Sequence, residues 1–473
     1  MRFDQYFLKS ALSELTIVYD VFPDEISVSV DTRTLVKGDL FIALPGAVHD
    51  GHHFVQEALQ KGACGFVIAK SRSAFLNQFD EKKLKDKLVI VVPDTLEALI
   101  KMAAAWRNQF EFPVVGVTGS VGKTSTKELL SSILALNDMP HAVSKANQNT
   151  LIGSAINIFN MREHHKAAIF EMGISKRGEM SELAHLVRPT TAIITLAGHA
   201  HMEGLGSIAD IAQEKRRIFE FFTPTNIGIV NGDQPILGNV AYVHPIIRFG
   251  YKTINQIQAR KIQHTPNGIN FVLKIYRKKY PITLSYQHEG AVYNCLAAAS
   301  AAHLLGIPEE KIIQGIQKRV VVNGRFEQKA LNNSKGFIIN DAYNANPESM
   351  KAALLAFQKM DTSAKKIAVL GDMLELGVNS PFWHRQLGRF LRKVPSLKYV
   401  ILVGDMVKYT KKTIPIGVNV DLVDNWEEAI QKLEGKLNDE SLVLVKGSRG
   451  ISLDKLVQKF TQNSKSAPVA PAA

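Results

Sequence analysis

Cysteine is nearly missing: Cys64 and Cys295 are the two in a chain of 473 residues. That rules out a disulfide framework or a thiolate metal site and fits a reducing compartment. No secretory leader is visible either, because Asp4, Lys9 and Glu14 interrupt any apolar run near the start. Long uncharged stretches are scarce. Gly290 to Pro308 is one, but it is rich in Ala and holds Asn294, Ser300 and His303, which suits a buried helix better than a bilayer span. Acidic residues are the minority, with 44 Asp and Glu against 57 Lys and Arg, a net charge of +13. The cations fall in short, scattered clusters such as Lys82-Lys83, Arg277-Lys278-Lys279 and Lys411-Lys412. No nucleic-acid motif accompanies them. The expectation is a solvated basic surface that draws small polyanions, with neither nucleic acid nor membrane as partner. No internal repeat occurs.

Apolar runs and turn residues divide the chain into three blocks, as its length predicts at roughly 150 residues per domain. The first block, to about residue 108, holds short strand-like runs (ISVSV, DLFIAL, CGFVIA, LVIVV). The middle block has runs of buried parallel-strand type at Val114–Val117, Ala167–Phe170, Ala192–Thr195 and Ile227–Val230. The last repeats the habit at Gly336–Ile339, Lys366–Leu370, Tyr399–Val403 and Leu442–Val445. Helical patterns lie between; Met350, Ala353, Leu354 and Phe357 recur at i, i+3, i+4, i+7. Strands alternating with helices predict an α/β fold. The tail after residue 462, NSKSAPVAPAA, has no core-forming pattern and reads as disordered.

The strongest motif begins at the end of a buried strand: Gly119-Ser120-Val121-Gly122-Lys123-Thr124-Ser125, followed by Leu129, Leu130, Ile133 and Leu134 on a helical face. Glycines let backbone N–H groups converge on phosphate oxygens, and the helix N-terminus adds partial positive charge. Lys123 would neutralise the β- and γ-phosphates and the Thr124 hydroxyl would ligate Mg²⁺. The strict pattern is broken at Val117, which stands where the first Gly belongs, although Gly116 is adjacent. A triphosphate site follows, with kinase, hydrolytic NTPase and ligase all open. In parallel sheets, ligands gather beyond the carboxyl ends of strands. That rule picks out Glu171, His199–His201, Asn231–Asp233, Asn340–Asn346, Asp372, Asp405 and Lys446–Gly450 as one large cleft.

The loop, together with Phe170-Glu-Met-Gly173, His201-Met-Glu-Gly204, Glu214-Lys215, Asn323-Gly-Arg-Phe-Glu327 and Asp341-Ala-Tyr-Asn-Ala-Asn-Pro347, resembles the Mur ligases. The resemblance runs from Asp31 to Gly450. It implies three domains: residues 1–108 for the UDP-sugar-peptide, a central P-loop parallel-sheet ATPase at 109–323, and a Rossmann-like amino-substrate domain at 324–462. Within the family, Asp341–Pro347 and Leu370-Gly-Asp-Met-Leu-Glu-Leu-Gly377 are most similar to the member that joins D-alanyl-D-alanine to UDP-N-acetylmuramoyl-tripeptide. The Asp-Asn-Pro-Arg string of the preceding ligase does not occur. The resemblance implies a cytoplasmic enzyme, taken as a monomer, that activates a carboxylate as an acyl phosphate with ATP and two Mg²⁺ ions.

Residue by residue, the resemblance implies that Thr124, Glu171, His201 and Lys215 hold metal, Lys215 after carbamylation. That modification requires a neutral amine, so burial or neighbouring cations (Arg216 and Arg217 are at hand) must depress the lysine's pKa. Asn294 would meet adenine, Arg325 the phosphates, and Asp341, Asn344 and Asn346 the ribose side. Ser29, Asp31, Arg33, Asp50 and His52 resemble the uridine-diphosphate pocket. Asn147 to Thr150, with Asn149 and Thr150 foremost, resembles a loop that touches the sugar-peptide. Lys446, Ser448 and Arg449 follow a buried strand where they can bind the dipeptide carboxylate. Each also has a plainer reading as turn, cap or salt-bridge residue. A folylpolyglutamate-synthetase-like ligase shares the loop but not Asp31-Thr-Arg33. A P-loop kinase or a nucleotide-binding scaffold leaves His201 and Lys215 without a role. Lys123→Ala should fold normally yet lose carboxylate activation by several kcal/mol of barrier, measured as acyl-phosphate formation; near-normal turnover would show the loop to be misread.

Overall fold

The computed structural model describes residues 2–46, 48–145, 148–265, 268–285, 288–332, 336–360 and 364–461. Asn147 and the tail after residue 462 lie outside them. Among the described residues there are three sheets. The first has five strands in the spatial order Thr16–Asp20, Leu88–Val92, Gly65–Ala69, Leu40–Ile42, Val28–Ser29. Its members are parallel except Thr16–Asp20, which pairs antiparallel at the edge.

The second sheet has nine strands. His141–Val143, Ala167–Glu171, Val114–Thr118, Thr191–Ile194, Ile227–Asn231, Ile246–Gly250 and Ile257–Thr265 run parallel. Gly268–Ile275 and Lys278–Leu284 then fold back antiparallel. The parallel run of the central sheet thus ends in an antiparallel hairpin at one edge. The inner parallel strands Val114–Thr118 and Ala167–Glu171 are buried throughout, whereas Lys278–Leu284 at the edge mixes exposed and buried positions. The third sheet is ordered Glu327–Ala330, Phe337–Asp341, Ser441–Lys446, Lys365–Gly371, Leu397–Val403, Asn419–Val423; all but the first strand run parallel. Gly290–Leu304 forms an Ala-rich helix whose buried face joins the apolar core of the second sheet. No helix among the described residues is long and apolar enough to cross a membrane.

The helix Thr95–Arg107 decides how the first two sheets sit together. Asp94 caps its start by accepting from the Glu97 N–H, and its inner face carries Leu99, Met102, Ala103 and Trp106. These residues join one apolar core that contains Leu40 and Ile90 of the first sheet and Phe170 and Ile194 of the second. Trp106 lies edge-on to Phe3, Phe7 and Phe110, with centroids 6.4, 5.6 and 6.0 Å apart, and 6.3 Å from Phe159. Arg107, pushed down to about 10 by burial, donates to the carbonyls of Val187, Phe110 and Arg188. Trp106→Ala should therefore cost about 3–5 kcal/mol. In denaturant melts it should loosen the first two sheets together; loss of the first alone would show that they do not share a core.

Candidate active site

The phosphate loop leaves strand Val114–Thr118 and enters helix Lys123–Leu136 through two glycines with positive φ, +149° at Gly119 and +89° at Gly122. A Cβ at 119 would overlap the Thr195 hydroxyl, and one at 122 would lie 2.5 Å from Asn294 Oδ1. Only glycine fits either place. Thr195 Oγ1 donates to the Val121 carbonyl (2.6 Å), and the Ser120 N–H donates to Leu196 O (2.7 Å). Lys123 curls over the loop and donates to Gly119 O at 2.8 Å. Burial depresses its pKa; Glu171 opposes the shift and Arg325 adds to it.

Two cavities meet at this loop. One, of about 180 Å³, is lined by Thr124, Ser125, Asn294, Phe249, His288, Asp341 and Lys446. The other, of about 550 Å³, is lined by Lys123, Asn149, Thr150, Glu171, His201, Asn344 and Asn346. Val121, Gly122, Arg325 and Ser349 border both. Arg325 is held with its guanidinium 4.0 Å over the Tyr343 ring. Asn294 reaches the loop helix by accepting from Thr126 Oγ1 at 3.3 Å.

Glu171 ends its strand opposite Val117 of the loop strand. Its Oε1 accepts from Asn149 Nδ2 (2.8 Å), while buried Oε2, like the buried Thr118 hydroxyl, has no hydrogen-bond partner among the described residues. Native structures rarely leave a buried carboxylate oxygen unpaired. Hard oxygens directed beside a phosphate loop fit Mg²⁺. Behind Glu171, its N–H donates to Ser144 Oγ, and the Ser144 carbonyl is fixed by the fully buried Lys127 at 2.6 Å.

The other two expected metal ligands are less ready. His201 has a left-handed backbone (φ +57°), and its Nδ1 lies 2.5 Å from Glu375 Oε2, a contact that holds the Glu375 carboxyl below its ordinary range. Lys215 is 1% exposed, and its amine makes no hydrogen bond or ion pair with the described residues. Its pKa falls well below 10.5, first through burial and then through the charge of Lys123, with Glu214 opposing. Arg216 and Arg217 are not the cause: they turn to Ile236 O and to Ser181 and Glu214.

Elsewhere the expected residues are already engaged with the protein. Lys446 is buried in the smaller cavity, 2.8 Å from Asp341 Oδ2 and donating to Asn344 O at 2.9 Å, so it braces the nucleotide-side wall. Ser448 is buried and accepts from the Leu374 N–H, whereas Arg449 faces solvent and pairs with Asp454. Asp372 is buried, accepting from the Met406 and Val407 N–H groups. On the first sheet, Arg33 grips Asp31 in a two-point pair and Ser29 donates to Asp31 O. Asp50 accepts from His52 and Arg72. None of these first-sheet residues lines either cavity. Unforeseen in the sequence were Thr195, Lys127, Tyr343, Glu348 and Glu375.

Family models describe the same layout: Mur ligase family, catalytic domain over residues 27–107; Mur ligase middle domain over 117–302; and Mur ligase, glutamate ligase domain over 324–449. The UDP-N-acetylmuramoyl-tripeptide–D-alanyl-D-alanine ligase of Rickettsia prowazekii is 34% identical over 442 residues, 92% of this chain and 94% of that protein. The chain belongs to the Mur ligase family. Its fold matches a crystal structure of MurF from Acinetobacter baumannii with a TM-score of 0.82, at 27% identity over 98% of this chain and 99% of that one. MurF of Thermotoga maritima, solved in complex with ADP, matches at TM-score 0.76 and 25% identity, covering 92% and 96%.

Burying the Lys215 amine of this Mur ligase carries a stability consequence. With the folded pKa below the unfolded one, the unfolded chain binds the extra proton between the two values. Stability then rises with pH up to the unfolded pKa near 10.5, by up to about 1.4 kcal/mol per pH unit from this group. Lys215→Met should raise the melting temperature at neutral pH in CO₂-free buffer, and the gain should shrink toward pH 10. A variant that melts lower at every pH would show that the amine has a partner.

Proposed function

We propose that this Mur ligase adds D-alanyl-D-alanine to UDP-N-acetylmuramoyl-tripeptide, cleaving ATP to ADP and phosphate by way of an acyl phosphate. The observation that carries the reading is the shared border of the two cavities at Val121, Gly122 and Arg325. A nucleotide in the smaller cavity, beside Asn294 and Asp341, directs its terminal phosphate into the larger one, where the tripeptide carboxylate meets it. The substrate names borne by the Rickettsia relative and the ADP bound to the Thermotoga enzyme support the same assignment.

The residues have separable tasks. The N–H groups from Gly119 to Thr124 cradle the phosphates, Lys123 and Arg325 offset their charge, and Asn344 and Asn346 flank the cleft. Glu171 and Thr124 would hold Mg²⁺, which supplies charge neutralisation between the γ-phosphate and the carboxylate. His201 would serve a second ion once released from Glu375. Lys215, whose amine is made less basic by burial and by the charge of Lys123, would take up CO₂ with loss of a proton and so offer the second ion an anionic oxygen ligand. Asn149 and Thr150 belong to the peptide side of the larger cavity. Ser29, Asp31, Arg33, Asp50 and His52 remain the uridine-diphosphate candidates, and Ser448 and Arg449 the dipeptide candidates.

Phosphate release measured with the UDP-sugar-tripeptide and D-alanyl-D-alanine, singly and together, tests the assignment. Turnover should need both, and stripping CO₂ at mildly acidic pH should lower it until bicarbonate is returned. Release without either substrate would mark a hydrolytic NTPase; indifference to bicarbonate would remove the carbamate alone.

A further inference from the structure

The helix Pro347–Lys359 belongs to the third sheet's layer, yet its first turn reaches the phosphate loop. Asn346 caps the helix by accepting from the Ser349 N–H, and Glu348 lies in the first turn that follows. Both Glu348 oxygens close on one residue 149 positions away: Oε1 lies 2.5 Å from His199 Nδ1, and Oε2 accepts the His199 N–H at 3.1 Å. Trp383, also from the third layer, covers the His199 ring at 4.2 Å.

His199 is not an isolated anchor point. Its neighbour Gly198 exchanges two hydrogen bonds with Ser120 of the phosphate loop: Ser120 Oγ donates to Gly198 O and accepts from the Gly198 N–H, both at 2.9 Å. A Cβ at 198 would sit 2.9 Å from Glu348 Cδ, so this segment is pressed between the loop and the carboxylate. A second strut, from Asn346 Nδ2 to Ser120 O at 3.4 Å, runs in parallel. At the far end of the same helix, Lys359 Nζ pairs instead with Glu289 at 2.8 Å and with His264, and its side chain bonds no residue of the phosphate loop.

Resting on the nucleotide-site reading above, we infer that Glu348 is a positioning residue. Through His199 and Gly198 it holds Ser120, and so makes the phosphate loop's binding geometry depend on the third layer being docked. A carboxylate that spends both oxygens on one backbone N–H and one imidazole stabilises that segment far more than a single exposed ion pair does.

The test is titration of the full chain with ADP, alongside KM and kcat for ATP. Glu348→Ala should weaken ADP binding about tenfold, the scale of one charge-assisted hydrogen bond lost. It should raise the KM for ATP in proportion while leaving the KM for D-alanyl-D-alanine within about twofold. Glu348→Gln keeps an acceptor for the His199 N–H and should restore most of the affinity, whereas Lys359→Ala should leave ADP binding nearly unchanged. Melting temperatures identify any variant that has simply lost its fold; if Glu348→Ala has, Glu348→Asp, too short to reach both His199 groups, carries the comparison and should bind ADP more weakly than Glu348→Gln. Native-like ADP affinity in folded Glu348→Ala, or an equal loss in Lys359→Ala, overturns the inference and leaves the nucleotide site standing. Failure of the unmodified chain to bind ADP overturns both.

Discussion

Between strand Val114–Thr118 and helix Lys123–Leu136 the backbone turns through a space that other side chains have already filled. Thr195 stands where a side chain at 119 would go, and Asn294 where one at 122 would go. The loop is therefore moulded by its neighbours, and each neighbour is itself an end of something larger. Thr195 follows strand Thr191–Ile194, Asn294 lies on a buried helix, and Ser120 is tied to the segment after Thr195. The direction of Lys123, the facing of Glu171 and the meeting of the two cavities all follow from that fit. Steric crowding, more than any single charge, sets the site.

Charge enters as a standing cost. Lys127, Lys215 and Lys446 are all nearly inaccessible, and burial acts against the charged form of Lys123, Lys215 and Lys446. Gathering cations out of water is unfavourable unless something negative arrives or is already present. Lys446 has Asp341, and Lys127 has Glu128 with the Ser144 carbonyl. Lys215 has only the opposing influence of Glu214, whose Oε1 accepts from the N–H groups of Gly178 and Met180 and whose Oε2 faces Arg217. A site so provisioned is at its most strained when empty of anions.

Legibility in the sequence followed burial and locality. Runs such as Ala167–Phe170 and Tyr399–Val403 were plain because both faces of their strands are covered there, so the run is apolar. The antiparallel return Gly268–Leu284 was not, since half of its second strand faces water and carries Lys278 and Lys279. The phosphate loop was readable because its chemistry is packed into seven successive residues. Glu348 and Glu375 were invisible for the opposite reason: each is an ordinary helix-start or turn glutamate until the fold sets it against a histidine over 140 positions away in sequence. Lys446 shows how far strand-end logic carries. It placed the residue at the cleft but could not tell an outward cation from one folded back onto Asp341.

The helix Thr95–Arg107 belongs to the first unit by chain order and to the second by packing, with Trp106 in a core common to both. Two sheets that share one core have no slip plane between them, and their separation is a constant of the molecule. On the proposed reading, in which the sugar-nucleotide end of the substrate rests on the first sheet, that shared core would fix the span between its anchor and the phosphate loop.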